Sequence, residues 1–159
     1  MEQLRAKKGF ICDMDGVIYH GNRLLPGVKE FVNWMYREDK KFLFLTNASG
    51  KSPKELQLKL FRMGLDVDES HFYTSALATA KFVSRQHPGC SAYVIGDPGL
   101  INALHDAGIM MTEVNPDYVI VGETANYNYE SICRAVRLIL GGAKLIGTNT
   151  DLTGPSEKG

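Results

Sequence analysis

Neither sign of charge is in excess: eighteen basic residues stand against eighteen acidic ones in a chain of 159. That balance excludes the basic stripe that a nucleic-acid backbone requires, and it excludes an acidic tail. No apolar run approaches the roughly 20 residues needed to cross a bilayer, so no membrane span is expected. Cysteine is scarce, with Cys12, Cys90 and Cys133 at unrelated spacings and no C-x-x-C pair. An odd count without pairs reads as reduced, packed thiols in a cytoplasmic protein rather than a disulfide framework or a zinc site. The charged N-terminus leads into an apolar run that Asp13 and Asp15 interrupt, so it is not a secretion signal. His71, His87 and His105 share no spacing with one another or with carboxylates that would build a metal centre, and His20, in the loop after the first strand, reads as a solvated loop histidine rather than one bordering a pocket. Repeats and low-complexity segments are also missing. What remains is a chain 44% hydrophobic, enough for one ordinary core.

The apolar pattern alternates between short runs and helical periods. Strands are expected at 9–13, 41–45, near Phe72-Tyr73, and at 92–95, 118–121 and 144–147. Val28, Phe31, Val32 and Met35 fall at i, i+3, i+4 and i+7, a helix entered through Pro26-Gly27. Ser52-Pro53-Lys54-Glu55 has capping-box spacing, with Leu56, Leu60 and Met63 as the buried stripe and Gly64 as the stop. Further helices are expected at 76–86, after Asp97-Pro98 with Leu100, Leu104 and Ala107, and through Ile132, Val136, Ile139 and Leu140 to Gly141-Gly142. The pair Tyr127 and Tyr129 reads as packing. Strands alternating with helices imply an α/β fold with parallel sheets and right-handed crossovers.

The chemistry concentrates where the first strand ends, at Asp13-Met14-Asp15-Gly16-Val17. A buried strand avoids charge, so two carboxylates at its end need a ligand to justify them. Residues at i and i+2 share one side of an extended backbone, which lets Asp13 and Asp15 act on one ligand. Two close carboxylates call for a hard divalent cation or for a division into nucleophile and acid. Gly16 permits a sharp turn and is expected to offer a backbone N–H to an anion. The second strand ends in Thr46-Asn47-Ala48-Ser49, where a hydroxyl and neighbouring N–H groups can hold phosphate oxygens. Taken alone that stretch is also ordinary turn chemistry.

Together, Asp13-Met14-Asp15-Gly16-Val17 and Leu45-Thr46-Asn47 resemble motifs I and II of the haloacid dehalogenase-like phosphatases, in their NagD-like subgroup. Phe72-Tyr73-Thr74-Ser75-Ala76, Val119-Ile120-Val121-Gly122-Glu123-Thr124 and Thr148-Asn149-Thr150-Asp151 extend the resemblance over residues 9–155. It implies a Rossmann-like core, here partial and formed by residues 1–88, with an inserted α/β cap at 89–159. It also implies a phosphomonoesterase for small phosphorylated metabolites such as nucleoside monophosphates or sugar phosphates. Asp13 would be the nucleophile that forms an aspartyl-phosphate, and Asp15 the acid and base. Mg²⁺ would sit on the Asp13 carboxylate and the Asp15 carbonyl. Thr46, with N–H groups around Asn47 and Ala48, would hold the other phosphate oxygens.

The family's motif III lysine and acidic motif IV follow the cap, and neither is found in these residues, so the chain reads as cut within the cap. Val94-Ile95-Gly96-Asp97 imitates motif IV, but Asp97-Pro98 is accounted for as a helix N-cap. Lys51 reads as a solvated loop charge. Lys144 stands at the wrong end of its strand. Gly154 brings no side chain to a cap loop where some relatives contact substrate. The competing readings are a non-catalytic phosphate-binding fragment and a receiver-like phosphoacceptor, the latter disfavoured by the inserted αβ segment. An open sheet edge, or the cap, is the expected route to self-association.

Overall fold

The computed structural model describes residues 2–151, and the Gly154 position lies outside them. The described residues divide into two compact units: 2–46 with Pro53–Tyr73, and Asn47–Ser52 with 74–151. Among the described residues, no helix is long and apolar enough to cross a membrane.

The first unit runs α1 (Glu2–Arg5), β1 (Gly9–Asp13), a hairpin of β2 (Tyr19–His20) and β3 (Arg23–Leu24), α2 (Val28–Arg37), β4 (Lys41–Thr46), α3 (Pro53–Arg62), a 3-10 turn at Glu69–His71, and β5 (Phe72–Thr74). The sheet order is β1-β4-β5, and β1 and β4 are parallel, from Gly9 beside Lys41 to Asp13 beside Leu45. The expected helical periods hold. Val28, Val32 and Met35 of α2 and Leu56 and Leu60 of α3 are buried against Phe42 and Phe44, with Phe10 and Cys12 packed alongside. Each such side chain contributes on the order of 2 kcal/mol. Helix α3 stops where Gly64, at φ +81°, lets the Leu65 N–H reach back to the Leu60 carbonyl at 3.0 Å. Only glycine adopts that left-handed turn without strain.

One expectation fails here. The run Gly9–Cys12 reads as a strand buried on both faces, yet β1 alternates, and Ile11 is 75% exposed. Among the described residues, helices pack on the Phe10, Cys12, Phe42 and Phe44 face. Ile11 and Leu45 lie on the other, where Leu45 is 43% exposed.

The second unit contains α4 (Ser75–Gln86), β6 (Ser91–Ile95), α5 (Pro98–Asp106), β7 (Met110–Met111), β8 (Tyr118–Val121), α6 (Tyr129–Leu140) and β9 (Lys144–Gly147). Its sheet is parallel, in the order β7-β6-β8-β9. Alternation splits the core by face. Ala92, Tyr118 and Ile120 pack with Leu100, Ala103 and Leu104 of α5 and with Ala76, Ala80 and Val83 of α4. Tyr93, Ile95 and Val119 pack with Ala135, Leu138 and Ile139 of α6. Helix α4 therefore belongs with this sheet, so the division between compact units falls before it rather than after residue 88. The α6 stripe also differs from expectation: Ile132, Val136 and Leu140 are exposed, and the buried face is the one centred on Ala135. Tyr129 is 85% exposed, while the Tyr127 hydroxyl donates to the Gly122 carbonyl at 2.8 Å.

The Asp117 carboxylate ties the start of β8 to β6, accepting from the Ser91 N–H and hydroxyl at 2.8 Å each. Those two bonds, the backbone one first, hold its carboxyl below the ordinary value. A depressed carboxylate stabilises the fold above its unfolded value of about 3.9 and loses that contribution as pH falls through its lower folded value. Asp117→Asn is therefore expected to destabilise the second unit at pH 7 but not near pH 2. Urea midpoints of the two proteins at both pH values measure this, and a constant gap would contradict it.

Candidate active site

Strand β1 ends at Asp13, whose pairing partner Leu45 directly precedes Thr46 at the end of β4. Both strands run the same way, so Asp13 and Thr46 emerge at the same edge of the sheet. Asp13 is exposed, Asp15 half-buried and Thr46 buried at 4% exposure.

The segment after Asp13 folds onto itself. The Met14 carbonyl accepts from the N–H groups of Val17, Ile18 and Tyr19 at 3.3, 2.9 and 3.3 Å. Met14 and Ile18 fill the core beneath. Asp13 Oδ1 accepts the Met14 N–H at 2.8 Å, and the Tyr19 hydroxyl reaches Asp15 Oδ2 at 3.4 Å. The Lys59 ammonium lies 3.7 Å from the centre of the Tyr19 ring, a cation–π contact that seats the hairpin.

Gly16 requires a correction. Its φ of +77° bears out the sharp turn, but its N–H already donates to the Tyr19 carbonyl at 2.8 Å. Gly16 shapes the loop, and its N–H is spent on that turn rather than left open to an anion. The hairpin β2–β3 was invisible in the sequence because two-residue strands carry no period.

Asn47 and Ala48, next in sequence after Thr46, belong to the segment Asn47–Ser52 of the second unit. The Asn47 carbonyl accepts the Ser75 hydroxyl at 2.8 Å, and its side-chain amide donates to Asp151 at 2.5 Å. In the second unit's sheet the chain leaves β6 on one side, through α5 to β7, and returns beside β6 as β8. Such a switch point opens a crevice beyond the strands' carboxyl ends. Here the chain fills it with its own segment. The buried Ser49 hydroxyl accepts the Glu123 N–H at 2.9 Å, and the Gly50 carbonyl accepts the Gly99 N–H at 3.2 Å. A Cβ on Gly99 would lie 2.6 Å from backbone atoms of Lys51, and one on Gly122 would lie 2.7 Å from the Ser49 oxygen. Glycine at both positions is therefore demanded by close approach. Asp97 stands at the N-cap position of α5, as expected from Asp97-Pro98, but its side chain makes no capping hydrogen bond. Among the described residues, no three His, Cys, Asp or Glu side chains gather as a metal-holding group.

The family model described as haloacid dehalogenase-like hydrolase matches residues 10–110. Dihydroxyacetone phosphatase of Corynebacterium glutamicum is 43% identical over 150 residues, which cover 94% of this chain and 54% of that protein. The solved structure of NagD from Escherichia coli K-12 is 42% identical with a TM-score of 0.88, covering 94% of this chain and 59% of that one. A glycerol phosphate phosphatase from Mycobacterium tuberculosis, solved in complex with magnesium, is 26% identical with a TM-score of 0.87 over 95% of this chain and 46% of its own. The chain thus spans about half the length of the relatives it matches.

Because the Gly99 position admits no side chain, Gly99→Ala is expected to push Asn47–Ser52 from its seat and to cost about 1–3 kcal/mol. Denaturant unfolding gives the cost, and amide exchange at Val119 and Ile120 locates it. An unchanged midpoint would mean that the segment yields freely.

Proposed function

The chain belongs to the haloacid dehalogenase-like hydrolases, and from that premise we propose that it carries the reacting end of a phosphomonoesterase for small phosphorylated metabolites. The observation behind this reading is the parallel pairing of β1 with β4, which sets the Asp13-x-Asp15-Gly16 turn and Thr46 at one edge of one sheet. Relatives are named dihydroxyacetone phosphatase and ribonucleotide monophosphatase, so compact phosphate esters are the proposed substrate class.

The Asp13 carboxylate attacks phosphorus in line, forming an aspartyl-phosphate as the ester oxygen leaves. Asp15 gives that oxygen its proton and then takes one from the water that hydrolyses the aspartyl-phosphate. The Thr46 hydroxyl, with the backbone N–H groups of Asn47 and Ala48, holds the oxygens that do not transfer. Magnesium suits the donors present, since it is commonly held by one or two carboxylates with water and substrate phosphate supplying the rest. The Asp13 carboxylate and the Asp15 carbonyl would hold it. When bound, it would offset the repulsion between carboxylate and phosphate. The three free cysteines fit a reducing, cytoplasmic setting.

A second reading, phosphate binding with little turnover, applies to residues 1–159 by themselves. It rests on the motif III lysine and acidic motif IV not being found in these residues, and among the described residues no third acidic side chain gathers with Asp13 and Asp15. The open face with Ile11 and Leu45, beside the edge strand β1, favours self-association of that chain.

In a chain that joins this segment to the remaining length its relatives have, Asp13→Asn is expected to abolish turnover. Asp15→Asn should still accept phosphate slowly while losing about 10²–10⁴-fold in rate. Hydrolysis of 4-nitrophenyl phosphate with Mg²⁺, and again with chelator, tests both, and near wild-type rates for Asp13→Asn would sink the assignment. Residues 1–159 alone are expected to oligomerise and hydrolyse poorly. A monodisperse, ordinarily active phosphatase would reject that second reading.

A further inference from the structure

At the edge of the second unit's sheet where β8 and β9 begin, away from their carboxyl ends, lies a cavity of about 420 Å³. That volume is within the ~300–1,000 Å³ of small-molecule sites and more than a bare oxyanion fills. Its walls come from separate elements: His87 after α4, Asp117 and Tyr118 at the start of β8, Arg137 in the last turn of α6, and Lys144 at the start of β9. Pairing of Lys144 with Tyr118 across the sheet, and the Lys144 N–H on the Asp117 carbonyl at 2.9 Å, fix that corner.

The charges of this wall are unequal. Its carboxylate, Asp117, is taken up by Ser91 and stands 3.9 Å from His87. Arg137 and Lys144 have no carboxylate partner among the described residues. A cation in the last turn of a helix is ordinarily explained by the helix dipole, and that suffices for Arg137. It does not explain a second unpaired cation, from a different element, on the same cavity.

We propose that this cavity binds a small phosphorylated metabolite, with the phosphate group between Arg137 and Lys144 and the organic part toward Tyr118 and Leu138. Arginine offers phosphate a planar pair of donors and lysine a point charge. The site shares no residue with the aspartate turn or with Thr46-Asn47-Ala48, so it stands whether or not the proposed phosphatase chemistry does.

The test is calorimetric titration of the 159-residue chain, in chelator to prevent turnover, with glucose 6-phosphate and separately with inorganic phosphate. Saturable binding of the ester is expected. It should weaken roughly tenfold or more in Arg137→Gln/Lys144→Gln, about 1.4 kcal/mol, and persist in Asp13→Asn/Thr46→Val, with circular dichroism confirming that each variant is folded. Tighter binding of the ester than of free phosphate supports a phosphorylated metabolite, and equal affinities overturn that identity in favour of phosphate itself. No saturable binding, or binding lost with Asp13 and Thr46 and retained without Arg137 and Lys144, overturns the site.

Discussion

Parallel strands that pair as neighbours release their chains at the same edge, and the register between β1 and β4 decides which residues meet there. Five consecutive pairs run from Gly9–Lys41 to Asp13–Leu45. A slip by one residue would turn Phe10 and Cys12 outward and drive Ile11 and Asp13 toward α2 and α3. Burial of Phe42 and Phe44 among Val28, Val32, Met35, Leu56 and Leu60 makes such a slip costly. The position of Asp13 at the strand end thus follows from aliphatic and aromatic packing on the opposite face, and the Met14 N–H on its Oδ1 adds one polar contact there.

The same rule operates in the second unit with a different outcome. Its strand order places a switch point between β6 and β8, the usual place for a ligand in an open parallel sheet. Asn47–Ser52 takes that place, through Ser49 on the Glu123 N–H and Gly50 on the Gly99 N–H. The segment directly follows Thr46, so the residues proposed to hold phosphate are part of a stretch whose later half is packed without slack. Glycines at 99 and 122 are what allow so close a fit.

Much of this was legible beforehand. Strands β1 and β9 match their expected limits, and α2 and α3 bury the predicted stripes, because both signals are periodic and local. Burial on both faces of β1 was not legible. An apolar run such as Phe10-Ile11-Cys12 states what a strand tolerates, not whether a second layer covers it, and Ile11 has none among the described residues. In α6 the apolar residues outnumber those one face can bury, so Ile132, Val136 and Leu140 misled where Ala135 marked the contact. The expected boundary after residue 88 groups α4 with the first part of the chain, since His87-Pro88-Gly89 is the stronger break in sequence. Packing against α5 outweighs that break.

Gly16 shows where residue type stops being informative. A glycine after two aspartates announces a turn, and the turn is there, yet the partner of its N–H depends on Tyr19 returning close by. That return closes a loop in which the Met14 carbonyl gathers three donors while Met14 and Ile18 anchor it below. Asp15 is consequently held in a loop closed by its neighbours' backbone bonds, with the Tyr19 hydroxyl at its carboxylate and Lys59 against the Tyr19 ring. The N–H groups of Gly16, Val17, Ile18 and Tyr19 are engaged inside the loop. In the proposed function the phosphate then relies also on the end of β4, at Thr46. The proposed function divides the work between two strand ends, β1 bringing the carboxylates that would react and β4 a donor that would hold.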